Sequence, residues 1–360
     1  MTLFQEPQAL GTSSRRHRIG RLFLAFGLIL AFAAFFMPAP YVIERPGSAT
    51  DTLGDLAGAP IVQIDSTTYE ADGELNMLTV EVVGSPEQTP SWFDLMEAWL
   101  DPSQIITPLE EVFPDNQTGD ESVAENAILM DESQQDAAAA ALEGLGYKVG
   151  RKVLLTQIFK TSPANGILKA GDVVVAYDGK PIGRVEEIRD LLAEGKGAPV
   201  EFTVLRGSDK QELKFSVTPF LDGDTYRIGV LTGIQYTFPF AVDFNVPGIG
   251  GPSGGLMFAL ATTEKLTPGS MTGGLNISGT GTIDTDGNVG PIGGIRQKMY
   301  AAVRAGSTVM FAPNENCSEV VGHIPAGLTV LKVGTLAEAK ARLAAIASGT
   351  AATNLPQCTK

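Results

Sequence analysis

Three rhythms of apolar residues succeed one another along this chain. The first is continuous: "LFLAFGLILAFAAFFMPAPYVI", Leu22 to Ile43, runs 22 residues without a charge. Its strongest part, Leu22 to Met37, would make about 24 Å of helix. Ile19 and a snorkelling Arg21 extend it toward the roughly 30 Å of a hydrocarbon core. The second rhythm is strand-like. "IVQIDSTTYEADGELNMLTVEVV" (61–83) reads as two β-prone runs folded into a hairpin about Asp72-Gly73. Between 145 and 219, "KVLLTQIF", "GDVVVAYDG", "PVEFTVLRG" and "QELKFSVTP" predict a small β-rich module around one helix, "VEEIRDLLAEG"; "YRIGVLTGI" and "AVDFNV" then open a last unit over 224–347. The third rhythm is helical. "SWFDLMEAWL" starts on a Ser cap with Phe93, Met96 and Leu100 in register, and "ESQQDAAAAALEGLGY" stops at Gly144 and Gly146. From Gly294, Ile295, Met299 and Ala302 form a core-facing stripe. The expected class is α+β.

Charge changes the reading of the first segment. The net charge is −15, but residues 1–43 set Glu6 against Arg15, Arg16, Arg18 and Arg21, a net +3 that leaves −18 for the rest. An acidic body is repelled by phosphate backbones, which excludes nucleic acid as a partner. A basic flank ahead of an apolar run places the N-terminus inside and the bulk of the chain outside. The expected layout is a cytoplasmic flank 1–18, a single-pass transmembrane anchor 19–43, an extracytoplasmic region 44–140 of hairpin and helices without evident chemistry, and a C-terminal tail 348–360. A cleaved signal peptide fits the short apolar stretch but lacks a clean small-x-small site before Tyr41, and the paired arginines resemble a twin-arginine signal. A buried helix of a soluble core does not explain the basic flank.

Composition, at 44% apolar and 19% charged over 360 residues, points to two folded domains or so. The only cysteines are Cys317 and Cys358. Outside the cytoplasm such a pair is a disulfide candidate, closing about 40 residues for roughly 4 kcal/mol in the chain-entropy model; two free thiols are the alternative, and no ligand cluster suggests a metal.

Candidate chemistry lies in the last unit. Gly250-Gly251-Pro252-Ser253 is an ordinary helix start in most proteins. Here Leu256, Met257 and Leu260 put Ser253 on the apolar side of its helix, and Lys298 falls within the stripe of the later one. A lysine aimed inward is desolvated, and desolvation favours the neutral amine, which is a base. A serine hydroxyl beside it can lose its proton while attacking a carbonyl, and amides at a helix N-terminus suit the oxyanion. Elimination agrees. Of the two histidines, His17 lies in the basic flank and His323, in "CSEVVGHIPAGL", sits where a helix runs into a loop. It is the only base available to a Ser-His-Asp triad or a Cys317-His323 dyad, and histidines in such places are mostly surface residues. No His-Glu-x-x-His or Gly-x-Ser-x-Gly motif occurs.

Two stretches resemble known families. "SPANGILKAGDVVVAYDGKPI" (162–182) resembles the PDZ family, with Ser162-Pro163-Ala164, the Leu168-x-x-Gly171-Asp172 turn and the Asp178-Gly179 hairpin, over about 75 residues (145–219). The resemblance implies a peptide groove between 153–159 and the helix 185–194, with Gly150, Arg151 and Lys152 ahead of Val153 as its carboxylate loop. That loop departs from the usual Gly-aromatic form, so internal or extended segments suit it better than free C-termini; a spacer without ligand is the alternative. "GPSGG" (251–255) and "GNVGPIGGIRQKMYAAVRAG" (287–306) resemble the proteolytic domain of the Lon proteases. This implies Ser253 as nucleophile, Lys298 as general base, Thr280 in "SGTGTIDTDG" as the hydroxyl orienting the amine, and the backbone amides of Ser253 and Gly254 as oxyanion donors. Together with the anchor and "RPGSATDTLG", the chain is similar to the membrane-anchored PDZ-Lon proteins of bacteria.

The departures are informative. Ile249-Gly250-Gly251 replaces the charged residues that precede Gly-Pro-Ser in ATP-driven Lon proteases, and Gly254 replaces their alanine, which would loosen the turn. No Gly-x-x-x-x-Gly-Lys-Ser/Thr loop is present, so no ATP, cofactor or metal is expected. The expected activity is that of a serine endopeptidase acting on unfolded or flexible extracytoplasmic polypeptides, with a hexameric ring implied by the resemblance. The alternative is an inactive scaffold whose PDZ groove binds peptides.

Overall fold

The computed structural model describes residues 13–114, 117–207 and 209–358. Residues 1–12 of the expected basic flank, and the side chains of 13–18, lie outside that description. Helix α1 (Ser13–Phe35) covers most of the apolar run, with Leu22, Phe23, Leu24, Phe26, Leu28, Ile29 and Phe32 exposed. Among the described residues no helix is long and apolar enough to cross a membrane.

After α1 come strands β1 (Tyr41–Asp51) and β2 (Glu74–Val83). Helix α2 (Trp92–Leu100) follows, held by a reciprocal capping box between Ser91 and Asp94. Strand β3 (Ile105–Pro108) leads to the long helix α3 (Gly119–Gly144), capped in the same way by Thr118 and Glu121. A compact unit comes next: β4 (Gly150–Ile158), β5 (Val173–Tyr177), α4 (Val185–Gly195), β6 (Val200–Arg206), β7 (Gln211–Val217) and β8 (Val230–Thr237). The last stretch holds α5 (Gly255–Lys265), β9 (Asn276–Gly279), α6 (Ile295–Arg304), β10 (Val309–Pro313), β11 (Thr329–Val333) and α7 (Leu336–Ala347).

The strands form two main sheets, ordered β11-β10-β9-β2-β1-β3 and β7-β6-β5-β4-β8. In the first, β2, β9, β10 and β11 run parallel, while β1, antiparallel to both of its neighbours, joins β3 to β2 at one side. This mixed sheet overturns two expectations. Residues 61–83 are not a hairpin: Val62–Ile64 pairs with Val242–Phe244, whereas β2 pairs with β1 and β9. Gly73 does adopt the left-handed turn conformation (φ 88°), but the turn sits against Leu275, whose carbonyl oxygen would lie 2.6 Å from any Cβ at that position. Nor is 44–140 a region apart, because β1, β2 and β3 supply half of the larger sheet and α3 packs against α5.

The segment "YRIGVLTGI" also changes allegiance. Its strand β8 pairs with β4 along the whole register from Val230↔Ile158 to Thr237↔Gly150 and so closes the smaller sheet. Residues 150–237 are therefore an insertion between two parts of the larger unit. Apolar periodicity marks a strand but carries no information on its partner.

Each unit has its own core. Leu75, Met77, Ile277, Phe311 and Leu331 of the larger sheet pack under Leu256, Phe258 and Leu260 of α5. Val153, Leu155, Val174, Phe202 and Val204 form the smaller one. The tail is tied down: Cys317 and Cys358 are joined in a disulfide across 41 residues, and Lys332 N donates to Pro356 O.

Candidate active site

Ser253 lies in the 3-10 turn Pro252–Gly254 that leads into α5. The turn needs a left-handed approach, and Gly251 provides it (φ 84°, ψ 155°). The apolar face of its helix predicts an inward Ser253. In fact α5 is buried on every side from Gly255 to Glu264, so facing alone would not have selected the serine. Lys298 occupies the second turn of α6, whose entry is set by Gly294 in the left-handed conformation (φ 66°). Ile295, Met299 and Ala302 are fully buried, as the stripe predicts, and they carry Lys298 in with them at 3% exposure.

The two helix starts meet. Lys298 Nζ is 2.8 Å from Ser253 Oγ and 3.1 Å from Thr280 Oγ1. Thr280, fully buried at the end of β9, donates its own hydroxyl proton to the carbonyl of Ser253 (3.0 Å). Its oxygen is thereby left to accept a proton from the amine. A neutral amine has two N–H bonds and one lone pair; with one N–H held by Thr280, the lone pair is free to face Ser253 Oγ. Burial pushes the Lys298 amine down from its usual range to about 7. The arrangement can therefore present a largely neutral base to a serine hydroxyl near neutral pH.

Replacing Thr280 by valine should lower kcat about tenfold to a hundredfold, as befits the loss of one buried hydrogen bond worth about 1–3 kcal/mol. Thr280→Ser should restore it. Single-turnover rates across pH would show the apparent pKa moving in the valine variant alone. Gly281 N also donates to the Ser253 carbonyl (2.9 Å), so the turn itself should hold.

A cleft of about 860 Å³ opens over the pair, walled by Glu44 and residues 46–48 of β1, 77–82 of β2, Met130 of α3, and 248–250 and 252–254 around the serine turn. The amides of Ser253 and Gly254 belong to a first helical turn, where N–H groups lack intrahelical partners and can meet developing negative charge. Gly254 does more than replace an alanine. A Cβ there would lie 2.4 Å from Met77 Sδ, so its absence lets β2 pack against the serine turn rather than loosening it.

Residues 44–140 carry no evident chemistry in their sequence, yet α3 braces the nucleophile from there. Ser133 Oγ donates to Pro252 O (2.9 Å) and Gly251 N donates to Asn126 O (2.8 Å). The signal was the run Ala137–Ala141, all buried, which lets α3 approach α5 closely.

The remaining sequence candidates stand elsewhere. Gly150, Arg151, Lys152 and Val153 are not a carboxylate loop at an open edge; they belong to β4, an inner strand paired to β8 along that stretch and to β5 from Val153. Arg151 instead joins the two units, bonding Glu143 of α3 and Thr285 O (3.0 Å) with Asp286 3.7 Å away, while Arg184 also pairs with Asp286. The edge strands of the smaller sheet are β7 and β8; β8 is preceded by Tyr226–Gly229, where Gly229 is left-handed (φ 66°) and Ser162 Oγ donates to Ile228 O. His323 is exposed, with Nδ1 3.3 Å from Val321 O, and Cys317 is held in the disulfide. Neither takes part in a described hydrogen bond with Ser253. Among the described residues no group of His, Cys, Asp and Glu is arranged to hold a metal ion.

Comparison with known proteins gives two family matches. Residues 244–343, which contain Ser253, Thr280 and Lys298, match the Lon protease (S16) C-terminal proteolytic domain, and residues 129–217 match the PDZ domain. Lon protease 2 of Herpetosiphon aurantiacus is 30% identical over 158 residues, covering 42% of this chain and 19% of that protein. The Lon protease of Geobacter metallireducens is 34% identical over 211 residues, covering 51% of this chain and 25% of its own length. The chain thus spans a quarter or less of these relatives. Among solved structures, the PDZ domain of an SdrC-like protein from Listeria innocua is 26% identical, covering 22% of this chain and 92% of that one, with a TM-score of 0.21. The chain carries a Lon-type serine-peptidase proteolytic domain at 244–343, preceded by a PDZ domain at 129–217.

Proposed function

We propose that this chain is a membrane-anchored serine endopeptidase that cleaves unfolded or flexible polypeptides on the extracytoplasmic side without ATP. One observation carries the reading: a buried lysine amine, in no ion pair among the described residues, 2.8 Å from a serine hydroxyl at the floor of an open cleft. Ser253 Oγ attacks the scissile carbonyl as Lys298 Nζ takes its proton. The oxyanion is received by the amides of the turn, and the lysine returns the proton to the leaving amine. Water then enters by the same route, giving up a proton to Lys298 as it attacks the acyl-serine ester.

Polypeptide supply is assigned to the PDZ unit. An extended segment adds as a further strand to the open edge of β8, since backbone groups there face outward. The uncharged run from Leu22 to Ile43 behind a basic flank supports the anchor and the outward placement of the acidic body. Ring assembly belongs to the proposal on family resemblance alone.

The test is incubation of the purified full-length protein with a permanently unfolded protein, with and without ATP. The expected result is fragmentation at equal rates in both. Retention of the polypeptide without cleavage would instead favour the binding-scaffold reading.

A further inference from the structure

Helix α2 exposes an apolar face that neither unit covers. On a helix turning about 100° per residue, Trp99, Trp92, Met96, Leu100 and Phe93 fall within one arc of about 120°. All five are exposed, from 40% at Phe93 to 78% at Trp99. The other two sectors are cleanly different: Asp94 and Glu97 are exposed, and Leu95 and Ala98 are buried against the protein. The burial of the last pair accounts for the helix being docked, and Ser91 and Asp94 for its start. Nothing in the fold accounts for five large apolar side chains facing outward.

We propose that this face rests in the interfacial layer of a lipid bilayer, against which it orients the proteolytic unit. The inference rests on the membrane-anchored reading. The apolar surface is continuous with that of α1: the Phe93 ring stacks on Phe36 (5.9 Å, 17°) and meets Phe35 edge-on (5.7 Å). Phe36 and Met37 are themselves more than half exposed. Tyr41 lies edge-on to Trp92 at 6.1 Å, and Phe35, Tyr41, Trp92, Met96 and Trp99 border a shallow apolar depression. Both tryptophans of the chain are in this patch. Indole and phenol rings with one polar end favour the headgroup level, where an amphipathic helix lies in the membrane plane. The acidic sector formed by Asp94 and Glu97 makes a zwitterionic surface a better match than an anionic one.

The consequence is geometric. Glu44, the first cleft residue of β1, lies only seven positions after Met37, so the cleft wall is held within about 25 Å of the patch. Substrates reach it as segments close to the membrane surface.

The two tryptophans make the experiment simple. The full-length protein is reconstituted into phosphatidylcholine vesicles with bromine on the acyl chains, either near the headgroup or near the methyl end. The expected result is blue-shifted tryptophan emission, quenched strongly by the shallow bromines and weakly by the deep ones, with Trp99→Phe and Trp92→Phe each removing part of the signal. Protein that floats with the vesicles and resists alkaline extraction, yet emits like water-exposed indole and is quenched by neither lipid, would overturn the docking and leave the anchor standing. Failure to float would overturn both. Blue-shifted emission that ignores bromine and varies with protein density would assign the face to a second copy of the chain.

Discussion

Ser253→Ala should reduce hydrolysis of an unfolded substrate by roughly four orders of magnitude or more, and Lys298→Met should do the same. The two should not add, because hydroxyl and amine act as one unit and removing either leaves only binding and oxyanion stabilisation. The pH dependence separates a base from a structural residue. Lys298 is the group depressed to about 7, so the active, neutral form accumulates as pH rises; kcat/KM should climb through about pH 7 to a plateau. Stability should follow the same amine with a definite sign. Its folded pKa lies below the unfolded value of 10.5, so between about 7 and 10.5 the unfolded chain binds the extra proton and stability rises with pH. The penalty is complete below about 7. Lys298→Met removes it, so the variant should melt higher than the parent at pH 6, by an amount that shrinks as pH approaches 10. Thermal scans of the two proteins at several pH values would decide this. A gain independent of pH would mean the amine is not desolvated in solution.

A fragment containing only residues 224–360 should fail to fold, although it includes the whole match to the Lon proteolytic domain. Strand β9 pairs with β2 on one side, from Asn276↔Glu74 to Gly279↔Met77, and with β10 on the other. Removing β2 strips Leu75, Met77 and Leu78 from the core, each at most 1% exposed, and leaves one edge of β9 unpaired. At about 1.5–3 kcal/mol per buried side chain, those three alone approach the total stability of a typical domain. Circular dichroism and proteolysis of the fragment would check it. The complementary deletion should behave oppositely. Gly150 and Thr237 are paired neighbours, so residues 150–237 enter and leave the larger unit at adjacent points. Replacing them by a short glycine-rich link should keep the sheet folded and preserve cleavage of short peptides, while β8 and its edge are lost. If both deletions unfold, the PDZ unit is an integral part of the proteolytic fold.

The contrast between these deletions also explains what could be read from the letters. Ser253 and Lys298 were legible because each breaks a local rule: a lysine among Ile295, Met299 and Ala302 is costly unless it has a use. The small strands of 150–217 were legible from alternation and turn glycines. What failed was pairing over distance. The Asp72-Gly73 signal for a hairpin is genuine at short range, and Gly73 does turn, but β2 finds partners in β1 and in a strand some 200 residues later. The edge of the PDZ unit failed for the same reason, since nothing in "VLTGIQYT" announces that it returns to β4. The bracing by Ser133 and Asn126 was hidden because backbone carbonyls accept their share of the work, and backbone leaves no mark on sequence.

The parallel junction of β2 with β9 has a consequence during synthesis. Asn76 bonds Asn276 across 200 residues, so β2 leaves the ribosome long before its partner exists. At about 5–20 residues per second, the wait is roughly 10 to 40 s, during which the inserted PDZ unit is complete and free to fold. A nascent chain therefore carries the serine turn before it carries the lysine, and the dyad is assembled only when the last third of the polypeptide has emerged.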